Sequence, residues 1–202
     1  MLQLVVPWLI ALAGAAGLVA AVQPGAPPSA ADGRELEAAL SRILLNAATD
    51  HTAAAPREVV LSERAVNAYF RFQGVDLFPP GIGEPEVSML GGGRLQVQAM
   101  VDLDGIRTLQ PRGPLDPLRY LSGSVPVTAV GVVHAADRTI RVDVESVEIG
   151  TVTVAPAIVH ELVRYYTRSE HQPGGLDLMA TFALPYSIDA VRIERGRAVV
   201  VQ

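Results

Sequence analysis

Residues 94–104 constrain this chain more than any other stretch. Leu95, Val97, Ala99, Val101 and Leu103 alternate with Arg94, Gln96, Gln98, Met100, Asp102 and Asp104. Successive strand side chains point to opposite faces, so this pattern predicts an antiparallel strand with one apolar and one solvated face. A half-buried strand needs partners, and they follow from the same reading. Val87 to Leu90 precedes it across Gly91-Gly92-Gly93, a hairpin signal. Val125 to Ala135 and Thr139 to Val147 form a second long hairpin over Ala136-Asp137-Arg138. In its second arm Ile140, Val142 and Val144 face one way, and Arg141, Asp143 and Glu145 the other. The phase slips after Ser146, where Val147 and Ile149 are apolar, which predicts a bulge that bends the sheet. Leu178 to Leu184 reads as a further strand, and Ile188 to Glu194 pairs with Ala198 to Val201 over Arg195-Gly196-Arg197.

Helices fill the intervals. Asp32 to Asn46 places Leu36, Leu40, Ile43 and Leu44 on one stripe. After a short strand, Glu58 to Leu61, Ser62 caps a helix from Glu63 to Phe72 with Val66, Tyr69 and Phe70 on one side; Gly74 ends it. Gly150 to Val154 leads to Pro156 in the first turn of a third helix, through about Arg168, whose apolar face is Ile158, Val159, Leu162, Tyr165 and Tyr166. Residues 75–86 and 105–121 are rich in Pro or Gly and read as irregular. The fold class expected is α+β: a long curved antiparallel β-sheet wrapping amphipathic helices, preceded by an N-terminal hydrophobic helix.

That leading segment, residues 1–31, reads as a signal peptide or membrane anchor, and residues 32–202 as one α+β domain. Leu2 to Val22 is apolar apart from Gln3, and Gln23 to Ser29 breaks any helix. The run is long enough to span a bilayer, for which about 20 residues suffice. Small residues offer cleavage after Ala21 or after Ala31, but no Arg or Lys precedes the apolar run, so a cleaved signal and an uncleaved anchor both stand. Either places the domain outside the cytoplasm, in the periplasm or cell envelope, with residues 2–22 as the candidate inner-membrane anchor.

Composition narrows the chemistry. The chain of 202 residues has no Cys, hence no disulfide, thiolate metal site, Cys nucleophile or lipidated Cys. All 16 basic residues are Arg, which excludes Schiff-base chemistry and a P-loop lysine. The net charge of −5 argues against a nucleic-acid partner and against electrostatic docking on anionic lipids, so membrane contact is expected to be hydrophobic. His51, His134, His160 and His171 are scattered without metal-ligand spacing. There is no nucleophile elbow, and the triple glycine lacks the helix a phosphate cradle needs. Asp102 and Asp104 read as solvent-face carboxylates, and His160 with Glu161 as surface residues. No catalytic residue, metal or cofactor is expected. What remains is apolar surface, which can close into a dry core or line a cavity for a lipid tail.

Three stretches carry a resemblance: LSERAVNAYFR at 61–71, SGSVPVTAVGVVHAADRTIRVDVESVEIGTVTVAPAIVHELV at 122–163, and LPYSIDAVRIERGRAVV at 184–200. They resemble LmeA/DUF2993-like exported bacterial proteins, similar in plan to the tubular lipid-binding (TULIP, BPI/SMP-like) domains, in which a curved sheet wraps a long helix around an acyl chain. The Pro-rich insert at 105–121 departs from that pattern. The resemblance implies non-enzymatic binding, or transfer, of a lipid or other amphiphile in the bacterial envelope. Under it, Val66, Tyr69 and Phe70 line the pocket, Leu95, Val97, Val101, Ile140, Val142 and Val144 form its sheet wall, and Ile158, Leu162 and Tyr166 come from the third helix. The alternative is a structural or assembly protein of the envelope with a closed core, binding another protein through 75–86 and 105–121. An enzyme would need distant groups such as Asp102, Asp104 and His134 to converge.

Overall fold

The computed structural model describes residues 27–49, 55–78, 81–105, 123–168 and 173–202. The apolar leader and most of the 105–121 segment lie outside the described residues, as do His51 and His171. Among the described residues no helix is long and apolar enough to cross a membrane.

Helix α1 (Ala30–Ala47) opens on a capping box. The Asp32 backbone N–H donates to the Ser29 hydroxyl at 3.4 Å, and the Ser29 N–H donates back to the Asp32 carboxylate at 2.7 Å. The domain start expected at residue 32 therefore falls inside the first turn of α1. Strand β1 (Glu58–Ser62) runs directly into helix α2 (Glu63–Phe72), whose N-cap Ser62 accepts the Ala65 N–H, as its sequence predicts. The two helices cross at Gly33, where a Cβ would collide with the Gln73 side chain. Arg64 of α2 grips Asp32 of α1 with two hydrogen bonds, 2.8 and 3.0 Å. Gly74 follows α2 with φ −97°, not in the left-handed region. Its N–H donates to the Tyr69 carbonyl, and a Cβ would press on Tyr69 and Leu77. Close approach, not positive φ, is why glycine suits this position.

After a 3-10 turn (Val75–Leu77) come β2 (Ile82–Gly91), β3 (Arg94–Asp102), β4 (Ser124–Ala136), β5 (Thr139–Ile149) and β6 (Val152–Val154). They are hydrogen-bonded in that order, all antiparallel. The β2–β3 and β4–β5 hairpins turn over two residues, Gly92-Gly93 and Asp137-Arg138, all at positive φ, the conformation a tight twisted hairpin requires. The predicted bulge is present: Val130 pairs with Ser146 but Gly131 with Val144, leaving Glu145 extra. Helix α3 (Pro156–Tyr166) has Pro at its first turn and packs on β5. The strand expected at 178–184 shrinks to β7 (Phe182–Ala183) on β5, because Asp177 accepts the Met179 N–H and holds that stretch in a turn.

A second, three-stranded sheet has the order β1-β9-β8, with β8 (Ala190–Glu194) and β9 (Arg197–Val201) forming the last hairpin. The two sheets meet at the glycine turn. Gly93 donates to the Ile193 carbonyl and accepts from the Val133 N–H, while Gly196 donates to Met89. The architecture is α+β, a large antiparallel sheet with a few helices.

Candidate functional site

The large sheet carries a continuous apolar face, and its register can be read residue by residue. One row crosses five strands: Val87, Val97, Ala129, Val147 and Val154 are successive partners. Val87, Ala129 and Val147 are each 1% exposed, so this row is its most buried rib. On one side of it lie Met89, Leu95, Val133 and Ala135, all buried; on the other lie Ala99 and Val127, also buried.

The structure divides the predicted site. Val66, Tyr69 and Phe70 of α2 pack with Leu95 and Val97 of the sheet, Leu36 of α1, and Ile193 and Ala198 of the small sheet, in one cluster of buried side chains. Tyr69 and Phe70 meet edge to face, and Phe70 meets Phe78 at 5.2 Å between ring centres. This is interior packing, with side chains interdigitated as in a core. Ile140 and Val142 lie at its border, half-buried. Val101, Val144 and Leu162 are half-buried outside this cluster, and Ile158 is 52% exposed. Tyr166 ends α3; its side chain is not among those described.

What separates the two groups is the edge of β5. Pairing with β6 covers Val147–Ile149 and pairing with β7 covers Thr139 and Ile140. Helix α3 follows β6 and packs on β5. Although Ile158, Val159, Leu162 and Val163 make it apolar, none of its described side chains is buried. Val152, just before it, is 61% exposed. Half-buried apolar side chains thus stand on both β5 and α3, which pack on each other, and Ile158 of α3 is exposed. Polar groups stand at one border: His160 Nε2 lies 3.7 Å from Asp177, and its Nδ1 is enclosed with no hydrogen-bond partner. His160 is therefore set inward from the surface place its sequence suggested, with a side chain only 16% exposed. Residue spacing along α3 carried that information, since His160 lies three residues before the half-buried Val163, on one face of the helix.

Asp102, Asp104 and His134 do not come together. Asp102 and Asp104 fold back on the end of β3, where Asp102 accepts the Asp104 N–H and Asp104 accepts the Gly123 N–H. His134 is ten residues further along β4 from Ser124, the partner of Asp102, a separation of roughly 33 Å. It pairs with Asp143 at 3.0 Å on the solvent face. No group of three or more His, Asp or Glu able to hold a metal ion occurs among the described residues.

No protein-family model, curated protein or solved structure matches the chain.

Proposed function

We propose that the domain binds the apolar part of a lipid or other amphiphile in the bacterial envelope, without catalysis, in the seam between α3 and β5. The observation that carries this is the contrast within one apolar face. Positions facing α2 are buried in one packed cluster, whereas Val144 of β5 and Ile158 and Leu162 of α3 are left half-buried or exposed. Apolar surface left open on both sides of a helix–sheet seam is stabilised by an acyl chain, at about 0.8 kcal/mol per buried CH₂. The resemblance to TULIP-type domains points the same way, and the apolar leader supplies a membrane where such ligands reside.

The packing around Phe70 favours a second reading for the other half of the molecule. There the predicted pocket residues serve as a closed core, as an envelope assembly protein would have them.

Native mass spectrometry of the full chain extracted from membranes tests the proposal. Co-purifying lipid, lost when Val144 and Leu162 are each replaced by Asn, is expected. A lipid-free protein from every extraction, or lipid retained by both variants, overturns it.

A further inference from the structure

We propose that β1 and α1 together form a self-complementary surface through which two copies of this chain pair about a two-fold axis.

The first observation is an open strand edge. Among the described residues β1 pairs only with β9, and the alternation set by the mutual Arg57–Gln202 hydrogen bonds turns the N–H and C=O of Val60 outward. The chain treats its β2 edge differently. There Asn67 bonds both polar groups of Val87, and Glu63 accepts the Met89 N–H, so helix side chains close the ladder. At β1 no such cover is present among the described residues, and Val60 stands 47% exposed. An open apolar edge is a template for another strand.

The second observation is the groove beside that edge, about 310 Å³, walled by α1 through Glu35, Ala38 and Arg42 and by β1 through Val60 and Leu61. Along α1, Ala31, Glu35, Ala38, Arg42 and Leu45 recur at steps of four and three, and all five are exposed, Leu45 at 69%. That is the seam spacing of a helix pair. Neither Glu35 nor Arg42 forms an ion pair among the described residues.

Charge complementarity commits the occupant. Turned antiparallel about Ala38, the stripe matches itself: Glu35 meets the second copy's Arg42, Ala31 meets Leu45, and the small Ala38 lets the helices approach. The same axis fits the edge. Two β1 strands centred on Val60 exchange both backbone hydrogen bonds and join the small sheets into one of six strands. α1 packs over the β1–β9 pair through Ala39, Ile43, Val59 and Val200. With strands about 4.8 Å apart, the paired helices then lie roughly 10 Å from each other, a normal packing distance. Each contact occurs twice, as an isologous interface demands.

The chain has no cysteine, which makes the test clean. In full-length protein held in detergent micelles, Val60→Cys is expected to give a disulfide-linked dimer on mild oxidation, since paired strand positions meet the Cα spacing a disulfide needs. Met179→Cys, exposed elsewhere, is the control. Analytical ultracentrifugation is expected to show Glu35→Arg and Arg42→Glu each weakening the dimer about tenfold, and the exchange Glu35→Arg/Arg42→Glu restoring it. A monomer at all concentrations overturns the proposal and leaves the edge to a strand of another protein. So does a Val60→Cys variant that cross-links no faster than the Met179→Cys control, or a dimer that the charge exchange does not rescue.

Discussion

Asn67 and Val87 form a closed pair: the Asn67 amide donates to the Val87 carbonyl at 2.7 Å and its oxygen accepts the Val87 N–H at 2.7 Å. One side chain thereby plays the part of a neighbouring strand. Glu63, one helical turn earlier, takes the N–H of Met89, two residues on, so a helical spacing of four matches a strand spacing of two. Ser62, Glu63 and Asn67 thus start α2 and fix it to the sheet. Asn67→Ala leaves both Val87 groups unpaired on a half-buried edge, and we expect a loss of about 2–4 kcal/mol in urea unfolding. Asn67→Asp keeps the acceptor but sets a carboxylate against the Val87 carbonyl. Its folded pKa is expected to be raised, so this variant's deficit should shrink as the pH is lowered and the acid becomes a donor.

Gly92 and Gly93 should respond unequally to alanine. Both are at positive φ, 62° and 83°, which costs an alanine about 1 kcal/mol. A Cβ at Gly92 meets nothing within 4 Å, whereas at Gly93 it would stand 3.1 Å from the Val133 carbonyl, at the junction of the two sheets. Gly93→Ala is therefore expected to lower the thermal midpoint clearly more than Gly92→Ala. Equal shifts would show that the junction gives way freely.

The Asp32–Arg64 pair predicts a pH dependence. The Arg64 guanidinium, followed by the Ser29 cap, holds the Asp32 carboxyl well below the usual carboxylate range. A depressed folded pKa means that the unfolded chain binds the proton first. The pair's contribution is then whole above the unfolded value of about 3.9 and fades as pH falls through it toward the folded value. The stability gap between the protein and Asp32→Asn should be flat from about pH 7 to 5 and narrow below about pH 4. Arg64→Gln should lose the same window. A gap that widens in acid is incompatible with this pairing.

Local signals made much of the fold legible. The alternation in β3, the slip near Ser146 and the Ser62 cap are each set by neighbours in sequence, and each lies where its pattern puts it, the extra residue of the bulge being Glu145. The start of β2 at Ile82 was hidden by Gly83 and Pro85. An edge strand tolerates both, with Glu84 at positive φ and a register shift between Gly83 and Glu86. The pairing of β1 with β9 joins residues far apart in the chain, so no window of sequence reveals that they form a second sheet. The site was half legible for a related reason. Periodicity tells which face of the sheet is apolar, but not which part of that face the helices fill. Val97 and Val144 carry the same pattern, and only the packing against each one separates the buried position from the half-buried one.

That distinction can be measured by pairing two substitutions. Phe70 is 4% exposed within the packed cluster, so Phe70→Ala should cost about 3–5 kcal/mol of stability through lost contacts and a residual cavity. Ile158 is 52% exposed on α3, so Ile158→Ser should stay within about 0.5 kcal/mol of the parent. Under the proposed function their effects on ligand cross over. Ile158→Ser should reduce the lipid carried by the folded protein, whereas folded Phe70→Ala protein, assayed well below its unfolding transition, should carry as much as the parent. Loss of lipid from Phe70→Ala with retention by Ile158→Ser would move the ligand from the α3 seam to the interior around α2.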